Sequence, residues 1–229
     1  MNPSVSVIIP VYNEAGVING TVRHIRSMPQ GRDAEIIVAD GHPEETSLAV
    51  IDDPAVIRIA SVKGRGCQMN AGARKASGAI LLFLHADTRL PLGGLNRVIS
   101  VMARDSGCVG GAFCLRIDNR RGIFRLIEAA TNRRARLTRV PYGDQAIFVR
   151  RDYFHEAGGY REIPLLEDVD FMRCVRRRGD RIVLLPEAVE TSSRRWDRDG
   201  ILFTTLRNRV IMILYYLGVS PGRLARLYM

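Results

Sequence analysis

The sequence predicts an α/β protein built on a mostly parallel central sheet flanked by helices. Two observations carry that expectation. Apolar runs at residues 4–10, 35–39, 56–60 and 79–84 are continuous rather than alternating, which marks strands covered on both faces. Segments with helical periodicity, at residues 14–27 and 67–76, fall between these runs, and turn signals such as Asp40-Gly41-His42-Pro43 separate them. A chain of 229 residues suits one domain, residues 1–229, and can bury a proper core.

After Pro91 the pattern changes. A helix is expected at 92–104, a Gly-rich strand at 109–115 and a basic helical stretch at 120–139. A short strand at 146–149, a helix from Glu167, a strand at 182–185 and a final amphipathic helix at 200–217 complete the expectation. Residues 1–90 read as a nucleotide-binding half, residues 91–229 as an acceptor half. No repeat, low-complexity tract or linker divides them.

Four cysteines, Cys67, Cys108, Cys114 and Cys174, show no CxxC pair and no zinc-ligand spacing, which reads as reduced thiols in a cytoplasmic protein. The start lacks the basic region and long apolar run of a signal peptide, and no stretch reaches about 18 apolar residues. The net charge of +10, from 34 basic and 24 acidic residues, favours an anionic partner: nucleic acid, a phosphorylated small molecule or a phospholipid surface.

Polar residues gather at the ends of the apolar runs, where open α/β sheets bind ligands. The run at 79–84 ends in His85-Ala86-Asp87, placing imidazole and carboxylate at i and i+2 of an extended tip as candidate metal ligands. An Asp turn or helix cap is the plainer reading. The first run ends in Pro10-Val11-Tyr12-Asn13-Glu14: Tyr12 suits stacking on a base, and Asn13 or Glu14 suits a ribose or base edge, while a helix cap explains Asn13 equally well. Asp40-Gly41 offers a carboxylate to a base imide or ribose, or simply a turn. Gly64 and Arg65 precede a helix, as in a phosphate cradle, without matching Walker A or GxGxxG. Glu167-Asp168 open a helix, either as favourable N-terminal charges or as a general base.

In order along the chain these features resemble the family 2 glycosyltransferases, which have the GT-A fold. The resemblance rests on Val-Ile-Ile-Pro-Val-Tyr-Asn-Glu at 7–14, Asp40, Asn70-Ala71-Gly72 with Ala76 and Gly78, His85-Ala86-Asp87, Gly110-Gly111 and Glu167-Asp168. Within the family the chain looks like a small bacterial branch whose metal motif reads Leu-His-Ala-Asp. The resemblance implies that Pro10, Tyr12, Asn13 and Glu14 line the nucleoside pocket, that Asp40 reads the base, and that Gly64 and Arg65 lie near the donor phosphates. It implies that Asp87, with His85, binds a divalent cation, Mn²⁺ or Mg²⁺, and that Asp168, beside Glu167, is the catalytic base of an inverting transfer. The donor expected from family prevalence is a UDP-sugar; the acceptor is open and includes lipid-linked molecules.

Three positions depart from the family pattern. His85 stands where the first Asp of Asp-x-Asp is usual, and neutral imidazole suits Mn²⁺ better than Mg²⁺. The second strand ends Ala39-Asp40-Gly41-His42 where two Asp and a Ser are frequent, and Met69 takes the place of an Arg that often precedes Asn70.

On the acceptor side, Gly111, Arg194, Arg195 and Trp196 are the candidates: an Arg pair to grip a diphosphate and an indole to stack on a sugar. Seven Arg among residues 120–139, interleaved with Ile123, Phe124, Leu126 and Ile127, suit either a solvated face or peripheral contact with the anionic inner face of a membrane. The apolar residues of 200–217 suit packing on the domain first, and a monotopic contact or homodimer next. Two rival functions remain. A sugar nucleotidylyltransferase needs a Gly-rich Arg loop after the first strand, where Tyr12-Asn13-Glu14 stands. A non-catalytic nucleotide- or anionic-surface-binding module gives no reason for Asp40, Asp87 and Asp168 to lie at motif positions, which also counts against nucleic acid.

Overall fold

The computed structural model describes residues 5–228; Ser4, the expected first residue of the opening strand, lies outside them. Strand β1 (Val5–Val11) is buried along its whole length. It pairs in parallel with β2 (Glu35–Asp40), which pairs in parallel with β3 (Ile57–Ala60). On its other side β1 pairs in parallel with β4 (Ile80–Phe83). The chain thus runs outward from β1 to β3 and then crosses back to β4, so the strand order reverses at the β1/β4 boundary. Crevices for ligands open at the carboxyl ends of strands at such a reversal.

The sheet continues beyond β4. Strand β5 (Thr88–Arg89) forms its far edge, and β6 (Cys108–Asp118), β7 (Phe148–Arg150) and β8 (Arg181–Ser192) fill the space between, giving the order β3-β2-β1-β4-β7-β6-β8-β5. Only β7 and β5 run against the common direction.

Alternation along β1 assigns the two faces. Val5, Val7, Ile9 and Val11 pack with α1 (Ile18–Arg26) and α4 (Gly94–Arg104). Ile8 points the other way, to Met69 and Ala73 of α3 (Arg65–Lys75) and to Val169 and Met172 of α7 (Glu167–Arg178). The approach of α3 is close: a Cβ on Gly72 would lie 2.5 Å from Ile8 Cγ2.

Several elements differ from the sequence expectation. Helix α1 starts at Ile18 rather than residue 14, because Asn13 is left-handed (φ 58) and Glu14 accepts backbone bonds from Val17 and Ile18 in a tight turn. Helix α3 starts at Arg65, immediately after Gly64 (φ 136). Strand β7 begins at Phe148 because Ala146 is left-handed (φ 47). Strands β6 and β8 are much longer than expected, since they pair with each other from Cys108 to Asp118. The helices α2 (Thr46–Ala49), α6 (Arg151–Glu156), α8 (Arg194–Asp199) and α10 (Pro221–Tyr228) are too short to stand out. The basic stretch forms α5 (Gly122–Thr138), whose Phe124 packs against Trp196.

Helix α9 (Ile201–Tyr216) packs on the domain through Ile211 and Tyr215, as expected, but leaves much of its apolar surface open. It buries Thr204, Ile211 and Tyr215, while Leu202, Phe203, Leu206, Val210 and Ile213 stay exposed. The helix is apolar nearly all round, and its neighbours α8, α10 and α7 cover only one face. Among the described residues no helix is long and apolar enough to cross a membrane, and all four cysteines are free.

Candidate active site

A cleft of about 340 Å³ opens where the topology places it, outside the ends of β1 and β4. Pro10, Tyr12 and Glu14 enter it from β1, and His85, Ala86 and Asp87 from β4. The β4 tip is held on three sides. Thr21 of α1 donates its hydroxyl to the Ala86 carbonyl, the Asp87 carbonyl accepts from Ser192 N–H at 3.2 Å, and Thr88 and Thr191 bond through their hydroxyls. From α3, buried Gln68 donates to the carbonyls of Val11 and Ala39, tying the ends of β1 and β2 together.

One arginine joins the two strand tips. Arg194 binds Glu14 through both terminal nitrogens, at 2.6 and 3.0 Å, and its Nε lies 3.1 Å from Asp87 Oδ2. The Glu14 carboxylate, then Asp87, holds its guanidinium in the charged form. Tyr12 stacks under the Lys63 ammonium at 4.6 Å and faces His42 at 5.1 Å.

The opposite wall comes from the start of α7. Leu166, left-handed at φ 66, precedes it, the kind of local strain found where a chain must be turned into a site. Glu167 is buried and pairs with Arg65 at 3.0 Å, an arrangement that raises the Arg65 pKa further. Asp168 lines the cleft, with Val169 N–H donating to Oδ1 at 2.8 Å and Gly143 N–H donating to Oδ2. Gly143 belongs to a 3₁₀ turn (Gly143–Gln145) braced by Gln145, which accepts from Tyr142 N–H and donates to the Phe113 carbonyl. A Cβ on Gly143 would stand 3.1 Å from Asp168 Oδ2 and 3.3 Å from His85 Nε2, so these two groups close on the turn from both sides. Burial, with Arg65 and Arg195 nearby, lowers the His85 pKa to about 3, which makes it a neutral imidazole. Burial, and then the charge of Asp168, raises Asp144 to about 6.

Of the residues expected from sequence, Pro10, Tyr12, Glu14, Arg65, His85, Asp87, Asp168, Arg194, Arg195 and Trp196 all line this cleft. Five do not. Asp40 is fully buried and its two oxygens accept the amides of His42 and Ser47, each at 2.9 Å, so it fixes the turn after β2 instead of facing a base. Asn13 is turned outward by its left-handed backbone and meets Thr46. Gly64 supplies the turn into α3. Gly111 lies inside the sheet, where a Cβ would press on the Val183 carbonyl, so it is a packing residue and not an acceptor contact. Glu167 positions Arg65 and stays out of the cleft. Trp196 packs edge-on against Phe124 at 5.7 Å, which engages the ring expected to stack on a sugar. Sequence reasoning missed Tyr142, Asp144, Asn208 and Tyr228; the polar turn Tyr142-Gly143-Asp144-Gln145 was the one available signal.

Among the described residues no group of three or more His, Cys, Asp or Glu side chains is arranged to hold a metal alone. Of the carboxylates that line the cleft, Glu14, Asp87, Asp144 and Asp168, it is Asp87 that shares the β4 tip with the neutral imidazole of His85. That donor set fits a cation shared with a diphosphate, since such ions take one or two carboxylates and draw other ligands from phosphate oxygens.

The fold and the cleft define a GT-A type protein: a mostly parallel sheet whose first and fourth strand tips face a carboxylate at a helix start. The family model described as glycosyl transferase family 2 matches residues 6–179, and the chain belongs to that family. Among solved structures the chain is similar to a mannosyltransferase from Pyrobaculum calidifontis in complex with GDP-Man and Mn²⁺, with a TM-score of 0.60 and 22% identity. The match covers 83% of this chain and 57% of that one, so this chain spans little more than half the length of that relative. A comparison with curated proteins found no match.

Proposed function

We propose that the protein transfers a sugar from a nucleoside-diphosphate donor to an acceptor hydroxyl with inversion at the anomeric carbon. The observation that carries this reading is the position of Asp168, fixed by the Gly143 amide across one cleft from Asp87 and Glu14 at the β4 and β1 tips. Tyr12, Glu14 and Pro10 hold the nucleoside, and Arg65 and Arg194 face the diphosphate. Asp87, with His85 as the nearby neutral nitrogen, would hold the divalent cation, which supplies electrostatic stabilisation of the departing diphosphate. The acceptor oxygen attacks the anomeric carbon and its proton passes to Asp168. The glycosidic bond to the diphosphate breaks, and the nucleoside diphosphate leaves with the electron pair.

Glu167 keeps Arg65 charged and pointed at the cleft. The complex of the Pyrobaculum calidifontis relative with GDP-Man and Mn²⁺ makes GDP-sugars with Mn²⁺ the first donors to test, beside the UDP-sugars expected from family prevalence. Thermal-shift screening of UDP-, GDP- and dTDP-sugars with Mn²⁺ or Mg²⁺ is expected to show metal-dependent stabilisation by one nucleotide class. No stabilisation by any of them overturns the reading.

A further inference from the structure

Helix α9 has two opposite sides. At about 100° per residue, Leu202, Phe203, Leu206, Val210, Ile213 and the capping residue Leu217 fall within an arc of about 100°, bordered by Arg209 and Tyr216. All of them are exposed: Leu202 by 80%, Leu206 by 64% and Leu217 by 75%. Thr204, Ile211 and Tyr215 point the other way and are buried. The open stripe runs about 22 Å along the helix, at 1.5 Å per residue. A contiguous apolar surface of this kind marks contact with another surface.

The charge around the stripe has one sign. Beyond Asp199 the chain carries four arginines, Arg207, Arg209, Arg223 and Arg226, and no aspartate or glutamate. The last three are exposed, and the Arg173 guanidinium lies 4.9 Å over the ring of Tyr216. At the start of the helix, Ile201 packs into the cluster of Leu115, Ile117 and Phe124, which joins α9 to α5. The outer side of α5 repeats the composition: Leu126 and Leu137 are exposed among Arg125, Arg133 and Arg136. The one acid of α5, Glu128, is buried, accepts from Ile117 N–H at 2.7 Å and pairs with Arg125 at 3.0 Å.

This charge selects the occupant. A two-fold contact with a second copy sets the same patch against itself, arginine against arginine, with no acid beyond Asp199 to pair with them. An anionic phospholipid surface satisfies both properties together. Its acyl chains take up the leucines, and its phosphates meet guanidiniums on flexible apolar stems. A helix of 16 residues is about 24 Å long, short of the roughly 30 Å hydrocarbon core, so α9 suits lying in the interface and not crossing it. We propose that α9, flanked by α10 and α5, is a docking surface for an anionic phospholipid bilayer. The inner side of α9 lines the cleft through Asn208, Ile211 and Met212, so docking holds the cleft about one helix diameter, ~10 Å, from the headgroups. The proposal stands independently of the transfer reading.

The test is co-sedimentation of the full chain with vesicles of phosphatidylcholine alone and of an equal mixture with phosphatidylglycerol. Partition onto the mixed vesicles is expected to be at least about tenfold stronger and to weaken at high salt. Leu206→Ser combined with Ile213→Ser should lower that partition about tenfold or more. Arg209→Gln combined with Arg226→Gln should lower it on the order of tenfold and leave binding to phosphatidylcholine unchanged. All four positions are exposed, and cooperative thermal melts show that both variants fold. Equal partition of the wild type onto the two vesicle types overturns the proposal, as does an unchanged partition in both variants. A wild-type dimer in light scattering that the Leu206→Ser, Ile213→Ser variant loses, without vesicle binding by either, assigns the face to a second copy and also overturns it.

Discussion

The two ends of the cleft are built differently. At the strand tips nearly every polar group has a partner: Gln68 ties β1 to β2, Thr21 holds Ala86, Arg194 joins Glu14 to Asp87, and Glu167 neutralises Arg65. In the wall made by α8 and α9, buried polar atoms lack partners and large apolar side chains face outward. The first end has its charges fixed in advance, which is what the proposed transfer from a diphosphate donor requires. The second end has no such set of fixed pairs among the described residues.

The contrast is tested most sharply by Asp168→Asn. It should lower transfer by about 10²–10⁴-fold while sparing the thermal shift with donor, since it removes the proton acceptor, and its one amide oxygen can still accept from either Gly143 or Val169. Asp87→Ala should act at the opposite end, abolishing the metal dependence of the nucleotide shift while the fold melts normally. If the two variants lose the same property, the division of the cleft fails.

A smaller effect is expected from Glu167→Gln. It leaves Arg65 without its buried counter-charge and should cost about 2 kcal/mol of stability, read by denaturant melts. Equal stability would show that Glu167 does not anchor that wall.

Asp144→Asn probes the incomplete end through pH. With its pKa raised to about 6 from the ordinary 3.8, folded Asp144 keeps its proton where the unfolded chain has lost it. Stability therefore falls as pH rises through that window, and the penalty is complete above it. The variant should gain melting temperature near pH 7 and gain nothing near pH 3, as scanned thermal melts will show. The least stability change belongs to Arg194→Ala, less than about 1 kcal/mol, because its ion pairs are half-exposed. Donor affinity should nonetheless drop, and isothermal titration separates the two effects.

The strand tips were legible in the sequence because the continuous apolar runs end abruptly at Pro10-Val11-Tyr12-Asn13-Glu14 and at His85-Ala86-Asp87. The start of α7 was legible because Leu165-Leu166 lead directly into Glu167-Asp168. Asp40 shows the limit of that reading. A carboxylate followed by Gly looks the same whether it faces a ligand or closes its own turn, and only the amides of His42 and Ser47 decide. Glu167 and Asp168 are adjacent carboxylates in one pattern, yet helical rotation sends one to Arg65 and the other to the cleft.

What the sequence determined alone is the set of local properties: which runs are buried, where they stop, and which charged residues stand at those stops. The order of motifs was enough to reach the family. The tertiary structure decided everything that depends on distant segments meeting, such as Arg194 reaching Glu14, the Gly143 turn reaching Asp168, and Asn208 closing a cleft begun at Pro10. Periodicity reports burial along one element, whereas a site is made where the ends of several elements converge. That convergence is fixed by sheet order and helix packing, which no local pattern encodes.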